Sequence, residues 1–421
     1  MKHVVVGAGP AGVVAAESLR RLQPEANITL VGDENEPPYS RMALPYLLIK
    51  QVGESGTYLR KEEQHFSKLA IDLRQERVMK IDRERQELSL EAGGSLSYDK
   101  LLIATGSQPT SPPIPGMDLP GIYSCWTLED GRNIAALAKL GTKILLMGAG
   151  FIGCIILEAL AKSGANLTVV EMEDRMVPRM MNDTAGSMIK SWCEKQGVIV
   201  HTSTEVTGIE KAGDGFTVSF SSEESIAVDL IVSATGVKPN IDLLEGTGVE
   251  TDYGILVNRN MQTNDPDIFA AGDVAQGRDF STGEYSVQAI QPTATEHGQL
   301  AARNMVGYSG AIHRGSVNMN ILDTIGLISS SFGLWMGTDG GEFGELLNRD
   351  RYRYMNLQFD DDILVGATSL GLTEHIGILR GLIQTKTRLG AWKDRLIQDP
   401  TRVMEAYLAS TQAIGFNSAV L

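Results

Sequence analysis

Two short glycine-rich phrases of one type carry the most chemistry in this 421-residue chain: Gly7-Ala8-Gly9-Pro10-Ala11-Gly12 and Gly148-Ala149-Gly150-Phe151-Ile152-Gly153. In such a phrase the first glycine permits a tight turn and the second lets backbone approach a pyrophosphate. The third lets the following helix pack closely on the strand, and the helix N-terminus faces the phosphate charge. Each phrase is followed, one helix later, by a β-rich run that ends at an acid. The first run, 28–32, leads to Asp33, with Glu34 as the alternate; the second, 167–170, leads to Glu171. A carboxylate about 20 residues beyond the last glycine can accept a hydrogen bond from an adenosine ribose. Two such units imply two dinucleotides on one chain, and electrons passed between them.

The elements that must position these residues follow from the apolar patterning. Val4-Val5-Val6 and Ile144-Leu145-Leu146-Met147 read as buried strands feeding the two turns, and helix-patterned stretches follow each turn. Another buried strand, 101–103, ends in Ala104-Thr105-Gly106, and a matching phrase at 230–236 ends in Ala234-Thr235-Gly236. The apolar run 267–271 ends at Gly272-Asp273, and 292–307 has helical spacing with Ala294, Leu300, Ala301 and Met305 inward. From about 311 the texture changes. Strand-like runs at 317–328, 351–359 and 363–370 precede helix-patterned segments over 374–408, the order of a small α+β domain. The expected fold is α/β: two Rossmann-like dinucleotide-binding domains plus a C-terminal α+β domain.

Composition narrows the class. Hydrophobic residues make up 43% and charged residues 21%, as in ordinary globular proteins, and no apolar run approaches the roughly 20 residues of a membrane span. The first strand is expected to begin at Lys2, which leaves no room for a cleaved leader, so the expected location is cytoplasmic. A formal charge of −15 argues against nucleic acid and anionic membrane as partners. Cys125, Cys154 and Cys193 are widely separated, with neither a Cys-x-x-Cys pair nor a spacing for zinc or an iron–sulfur cluster, so no metal is expected. Cys154 opens a helix whose dipole could lower a thiol pKa, but a small buried residue is the preferred reading. Of the six histidines, His297 lies in the 292–307 helix and is expected to be solvated or capping rather than catalytic.

Together these phrases resemble the pyridine nucleotide–disulfide reductase superfamily, in particular its NADH oxidase, nitrite reductase flavoprotein and ferredoxin reductase branch. The resemblance implies that the first glycine phrase binds FAD and the second NAD. It implies an FAD domain of 1–109 and 236–310, an inserted NAD domain of 110–235, and a C-terminal interface domain of 311–421. Asp273 is matched to the aspartate on the FAD ribityl chain, and Arg41, in Pro38-Tyr39-Ser40-Arg41, to an arginine along the FAD. Thr293, in Pro292-Thr293-Ala294, is matched to the start of the helix pointing at the flavin ring, though it also reads as a plain helix cap. Phe151 is matched to the aromatic that covers the flavin until NAD arrives, which makes it the one residue assigned to the reacting centre; it reads equally as a core aromatic. Glu171 implies NAD rather than NADP, a preference that Arg175 and Arg179 could soften.

Three departures refine the expected activity. Met42, in Met42-Ala43-Leu44-Pro45-Tyr46, stands where relatives acting on peroxide or disulfides hold a redox cysteine, and a thioether cannot form a sulfenate or mixed disulfide. Tyr46 stands about where ferredoxin reductases carry a lysine, and Ile155 where most relatives carry a glutamate near the nicotinamide. The resemblance therefore implies an FAD-dependent NAD(H) oxidoreductase that exchanges electrons with an iron–sulfur protein, as a homo- or hetero-oligomer. The Phe151–Ile155 phrase and Trp392-Lys393-Asp394-Arg395 resemble flavoprotein subunits of multisubunit 2-oxoacid complexes of the phenylglyoxylate:NAD oxidoreductase type. A free-standing NADH oxidase, a redox-sensing flavoprotein scaffold and an NADP-linked monooxygenase remain the alternatives.

Overall fold

The computed structural model describes residues 1–308 and 310–418. The chain divides into two compact units. The first holds residues 1–110, 237–279 and 283–316; the second holds 111–236, 280–282 and the chain from 317 onward.

The first unit is built on a five-stranded parallel sheet in the order Ile268–Ala270, Lys100–Ile103, Lys2–Val6, Asn27–Gly32 and Ile71–Gln75. Val5, Leu30, Leu101, Leu102, Ile103 and Ile268 are fully buried, as strands covered on both faces require. The central strand begins the chain, and successive strands lie on opposite sides of it, so the crevice at its carboxyl end is a topological switch point. There the helix Pro10–Leu22 begins, with proline in its first turn and Val13, Ala15, Ala16 and Leu19 turned to the sheet. Helix Gln291–Met305 lies across it. A side chain at Gly298 would collide with the Ala11 carbonyl, so the two helices touch through a glycine.

The second unit repeats the plan: a parallel sheet in the order Ile199–His201, Asn166–Val170, Lys143–Met147, Leu230–Ser233 and Ile122–Tyr123, with helix Phe151–Lys162 leaving its central strand. It also carries an antiparallel sheet in the order Met319–Thr324, Leu327–Gly333, Ile363–Leu370, Arg353–Asp360 and Glu342–Asn348. Helices Ile376–Thr385, Trp392–Gln398 and Val403–Ser418 follow it in the chain. The fold is therefore two Rossmann-like sheets and a C-terminal α+β element. Asn182 links the two sheets of this unit. Its Oδ1 accepts from Ala185 N at 3.0 Å to cap a helix, while its Nδ2 donates to the Tyr354 hydroxyl at 2.6 Å.

Two details differ from the sequence reading. The run 317–328 is a hairpin, not one strand, because Ile325 and Gly326 both take positive φ and turn the chain. Strand Glu342–Asn348 was not anticipated. At the sheet edge it exposes Phe343 and Leu347 and buries Gly344, which hides the usual alternation. Leu300 packs against the core of the first unit as expected, although it stays partly exposed at the core's margin. Among the described residues no helix is long and apolar enough to cross a membrane, and no group of three or more His, Cys, Asp or Glu could hold a metal ion.

Candidate functional site

The two glycine phrases form two cradles of the same design, one in each unit. Gly7 has φ +111°, and a side chain there would strike the Ala104 carbonyl oxygen; a side chain at Gly12 would strike the carbonyl of Gly7 itself. At Gly9 an added Cβ meets nothing within 4 Å. In the second cradle Gly148, at φ +94°, faces the Ala234 carbonyl, Gly153 faces the Gly148 carbonyl, and Gly150 again meets nothing within 4 Å. Two glycines of each phrase are thus demanded by packing against the protein. The middle one is demanded by nothing in the protein, and leaves bare backbone at a helix N-terminus. Neither Gly9 nor Gly150 supplies a side-chain cap to its helix. That open, uncapped backbone fits a pyrophosphate.

The third glycine lets the helix close on the strand as expected, a Cβ at Gly12 lying 3.2 Å from Val5 Cγ1, and it also clears the turn's own Gly7 carbonyl. The Ala-Thr-Gly phrases also gain a physical role. Ala104 and Ala234 supply the carbonyls against which the first glycines rest, and Gly106 and Gly236 both take positive φ. Thr105 is locked by a reciprocal pair with Asn240: its hydroxyl donates to the Asn240 carbonyl at 2.9 Å, and Asn240 Nδ2 donates to the Thr105 carbonyl at 2.8 Å.

The acids of the two cradles are held unlike one another. Glu171 is 7% exposed. Its Oε2 accepts from Ala149 N at 2.7 Å and its Oε1 from Glu173 N at 3.0 Å, so the carboxylate is fixed beneath the glycine turn. In the first cradle Asp33 is exposed, whereas Glu34 accepts from Arg41 and from the Tyr39 hydroxyl, each at 2.6 Å. Arg175, considered as a softener of cofactor choice, is engaged. It donates to the Met181 carbonyl at 3.0 Å and pairs with Asp174 and Asp183, each at 2.7 Å.

Around the first cradle the structure gathers Asp273, Gly272, Arg41 and Thr293. Gly272 has φ +78°, and a Cβ added there would lie 3.1 Å from the Ala11 Cβ and 3.5 Å from the Ala294 Cβ. Asp273 follows it. Burial raises its carboxyl pKa above the ordinary value, opposed by the Ser107 hydroxyl, which donates to it at 3.1 Å, and by the charge of Arg41. Ser107 and Gln291 were not foreseen. Ser40 Oγ donates to Gln291 Oε1 at 2.5 Å, tying the Pro38–Arg41 phrase to the first residue of the Gln291–Met305 helix. Neither contact has a sequence signal, since the partners lie 166 and 251 residues apart.

Two histidine and threonine readings need correction. Thr293 is not a cap: Ile290 occupies that position, and Thr293 lies buried within the first turn. His297 is neither solvated nor capping, being 2% exposed, because the helix face that carries it turns inward. In the second cradle Phe151, Ile152 and Ile155 are half-buried on the first turn of their helix.

The thiols are inert. All three cysteines are buried and unpaired. Burial pushes Cys125 and Cys193 up to about 12, and Cys154 well above its ordinary value. The helix dipole at Cys154 is therefore outweighed by desolvation. Met42 and Tyr46, 45% and 54% exposed, lie in the consecutive short helical segments Arg41–Ala43 and Leu44–Leu48 of the first unit.

Comparison with known proteins agrees with this geometry. The chain is 30% identical over 413 residues to the NADH-dependent phenylglyoxylate dehydrogenase subunit epsilon of Aromatoleum evansii, covering 97% of this chain and 98% of that protein. It is 32% identical over 305 residues to the 3-phenylpropionate/cinnamic acid dioxygenase ferredoxin–NAD(+) reductase component of Photorhabdus laumondii, covering 72% and 77%. The NAD-dependent persulfide reductase structure from A. fulgidus superposes with a TM-score of 0.85 at 27% identity, over 93% of this chain and 78% of that one. The family model for pyridine nucleotide-disulphide oxidoreductases matches residues 1–298. A match across both glycine cradles and the Gly272-Asp273 turn leaves one assignment: the chain belongs to the pyridine nucleotide-disulphide oxidoreductase family, enzymes that hold FAD and NAD(H).

Proposed function

We propose that this enzyme passes electrons between NAD(H) and an iron–sulfur protein, and that it serves as the NAD-linked flavoprotein subunit of a 2-oxoacid oxidoreductase complex of the phenylglyoxylate type. The observation that carries the reading is the end-to-end similarity to the phenylglyoxylate dehydrogenase epsilon subunit, which extends through the C-terminal α+β element, where no nucleotide motif lies. Similarity to a ferredoxin–NAD(+) reductase component supports the same class of partner. The inert thiols and Met42 remove the route by which electrons would pass through a disulfide.

The first cradle, with Gly7, Gly9, Pro10, Ala11, Gly12, Ala104, Thr105 and Gly106, holds FAD, together with Arg41, Gly272, Asp273 and Thr293. Glu34, already oriented by Arg41 and Tyr39, joins Asp33 as the acid offered to its ribose. The second, with Gly148, Gly150, Phe151, Ile152, Gly153 and Gly236, holds NAD with Glu171 at its ribose. The FAD domain spans 1–109 and 236–310, the NAD domain 110–235 and the interface domain 311–421. FAD, when bound, exchanges a hydride with NAD and electrons singly with a metal centre. The protein's share is to fix both dinucleotides and keep water from the exchange. A cytoplasmic site of action accords with three cysteines kept as free thiols.

The test is anaerobic mixing of the purified flavoprotein with NADH, followed by a reduced-minus-oxidised spectrum of an added two-[4Fe–4S] ferredoxin. Ferredoxin reduction or its reverse, with slow oxygen consumption, is the expected result. Fast NADH-dependent oxygen uptake with no ferredoxin reaction would establish the oxidase alternative instead.

A further inference from the structure

One buried cluster in the first unit is not used by either cradle. His297 lies on the Gln291–Met305 helix, four residues beyond Thr293 and on the same face. His313 and Ser316 belong to the segment that leaves this helix and leads toward the C-terminal sheet. Ser316 Oγ lies 3.4 Å from His297 Nε2 and 3.2 Å from His313 Nε2, and the two imidazoles meet edge to face with centroids 4.8 Å apart. All three residues are buried.

The arrangement favours a neutral ring at His297. Ser316 can donate to one imidazole while accepting from the N–H of the other, or accept from both through its two lone pairs, so the Ser316 contacts survive in either state. His297 Nδ1 is buried and has no hydrogen-bond partner among the described residues, so a second proton there would leave a donor without an acceptor. Burial, and then the neighbouring His313, lower the His297 pKa to about 3; burial lowers that of His313 against the opposing charge of Glu296. Other ionisable groups on the surrounding elements are Glu17, Arg20 and Arg21 on Pro10–Leu22, Asp273 on the turn, and Arg303 on the same helix. Arg259, Arg278 and Asp279 lie on the strands and loops bonded to the segment. Arg278 and Arg259 meet the segment through their carbonyls, which accept from Ser316 N at 3.1 Å and His313 N at 2.7 Å.

We propose that His297, Ser316 and His313 form a clasp that fastens residues 311–316 to the Gln291–Met305 helix and opens on acidification. Each opening exposes imidazoles to water, where they take protons from solvent that the closed clasp refuses. No covalent change is involved. The clasp is independent of which cofactor sits at the first cradle, but it sets the footing of the helix that carries Thr293.

The two backbone amides bonded to Arg259 and Arg278 report on the clasp directly. Hydrogen exchange of the peptide containing His313 and Ser316 would be followed in the FAD-loaded protein at pH 7.5, 6.5 and 5.5, corrected for intrinsic exchange rates, with bound flavin measured in parallel. Protection of that peptide should fall by about tenfold through His297 between neutrality and pH 5.5, one unit below the free imidazole value, and further as far as His313 contributes, while the Lys2–Val6 strand stays unchanged. His297→Gln with His313→Gln should flatten the dependence. Ser316→Ala, which keeps both imidazoles, should lower protection at every pH. Wild-type protection that is constant from pH 7.5 to 5.5 would overturn the clasp, as would an equal acid loss in the doubly substituted protein. Flavin loss at constant protection would count against the cofactor assignment and against the clasp as its footing.

Discussion

Glu171 Oε2 accepts the backbone amide of Ala149 at 2.7 Å, so the acid closing one strand holds the glycine turn that closes its neighbour. The carboxylate is therefore both a turn brace and the proposed ribose acceptor. Glu171→Gln keeps one of the two acceptor oxygens, removes the charge and sets an NH2 against either the Ala149 or the Glu173 amide. It should cost some stability at the turn, raise KM for NADH by about ten- to a hundredfold and narrow the gap to NADPH, since a lost charge-assisted hydrogen bond is worth roughly 1.5–3 kcal/mol. Steady-state kinetics with both nucleotides check this; an unchanged NADH:NADPH ratio would remove Glu171 from cofactor choice.

The glycines of one cradle should fail in two different ways. Gly7→Ala and Gly12→Ala drive a methyl into the Ala104 and Gly7 carbonyls, and should lower stability by about 3 kcal/mol or more. Gly9→Ala meets no protein atom within 4 Å, so it should fold normally and bind FAD weakly. Thermal melts of apo-protein, set beside FAD titrations, separate the two classes. A Gly9→Ala protein that binds FAD like wild type would show that the bare backbone does not meet the pyrophosphate.

Removing the carboxylate of Asp273 should cost flavin. In Asp273→Ala the Ser107 hydroxyl loses this one contact and the proposed ribityl contact disappears, an effect of roughly 1–3 kcal/mol. Flavin occupancy after dialysis at limiting FAD is the readout, and Asp273→Asn should fall between the two. Equal occupancy in all three proteins would refute the assignment.

Turnover should need no thiol. Replacing Cys125, Cys154 and Cys193 together by Ala or Ser should leave NADH-driven dye reduction per bound flavin largely intact, because burial holds all three protonated. Some stability will be lost from these packed sites, about 1–3 kcal/mol in total. Loss of dye reduction with flavin retained would reverse the conclusion.

Stability should fall on the acid side through His297. Its folded pKa, about 3, lies below the unfolded value of 6.5. The unfolded state therefore takes a proton as pH drops below 6.5 while the folded state does not. The stability from this residue is complete above 6.5 and declines by about 1.4 kcal/mol per pH unit down toward the folded value. Between pH 7.5 and 5.5, denaturant melts should show wild type losing about 1.4 kcal/mol more than His297→Gln over the whole interval, with wild type the more acid-sensitive.

The architecture was legible because its signals are local: apolar runs set against glycine turns, twice, with Ala-Thr-Gly phrases echoing each other. The unforeseen features are long-range or disguised. Ser107 and Gln291 reach their partners across 166 and 251 residues. Glu342–Asn348 hides its alternation because Gly344 stands at an inward position, where the Leu396 backbone approaches. His297 read as solvated because one polar residue in a helix pattern carries no information about which face is covered. Its depth depends on His313 and Ser316 folding back on the helix.

The Ala104 carbonyl that completes the first glycine turn arrives nearly a hundred residues after it, and Gly272 arrives later still. On a ribosome the second cradle, whose parts all lie between Gly148 and Gly236, is finished before the first has its last wall. The residues that build the second cradle are therefore the first complete set to be synthesised. Strand Lys2–Val6 has both its neighbours, Asn27–Gly32 and Lys100–Ile103, early in synthesis, whereas the edge strand Ile268–Ala270 and the helix Gln291–Met305 arrive last. Flavin capture is accordingly a late event in biogenesis, and a truncation just before Gly272 should yield a protein able to bind NAD and unable to turn yellow.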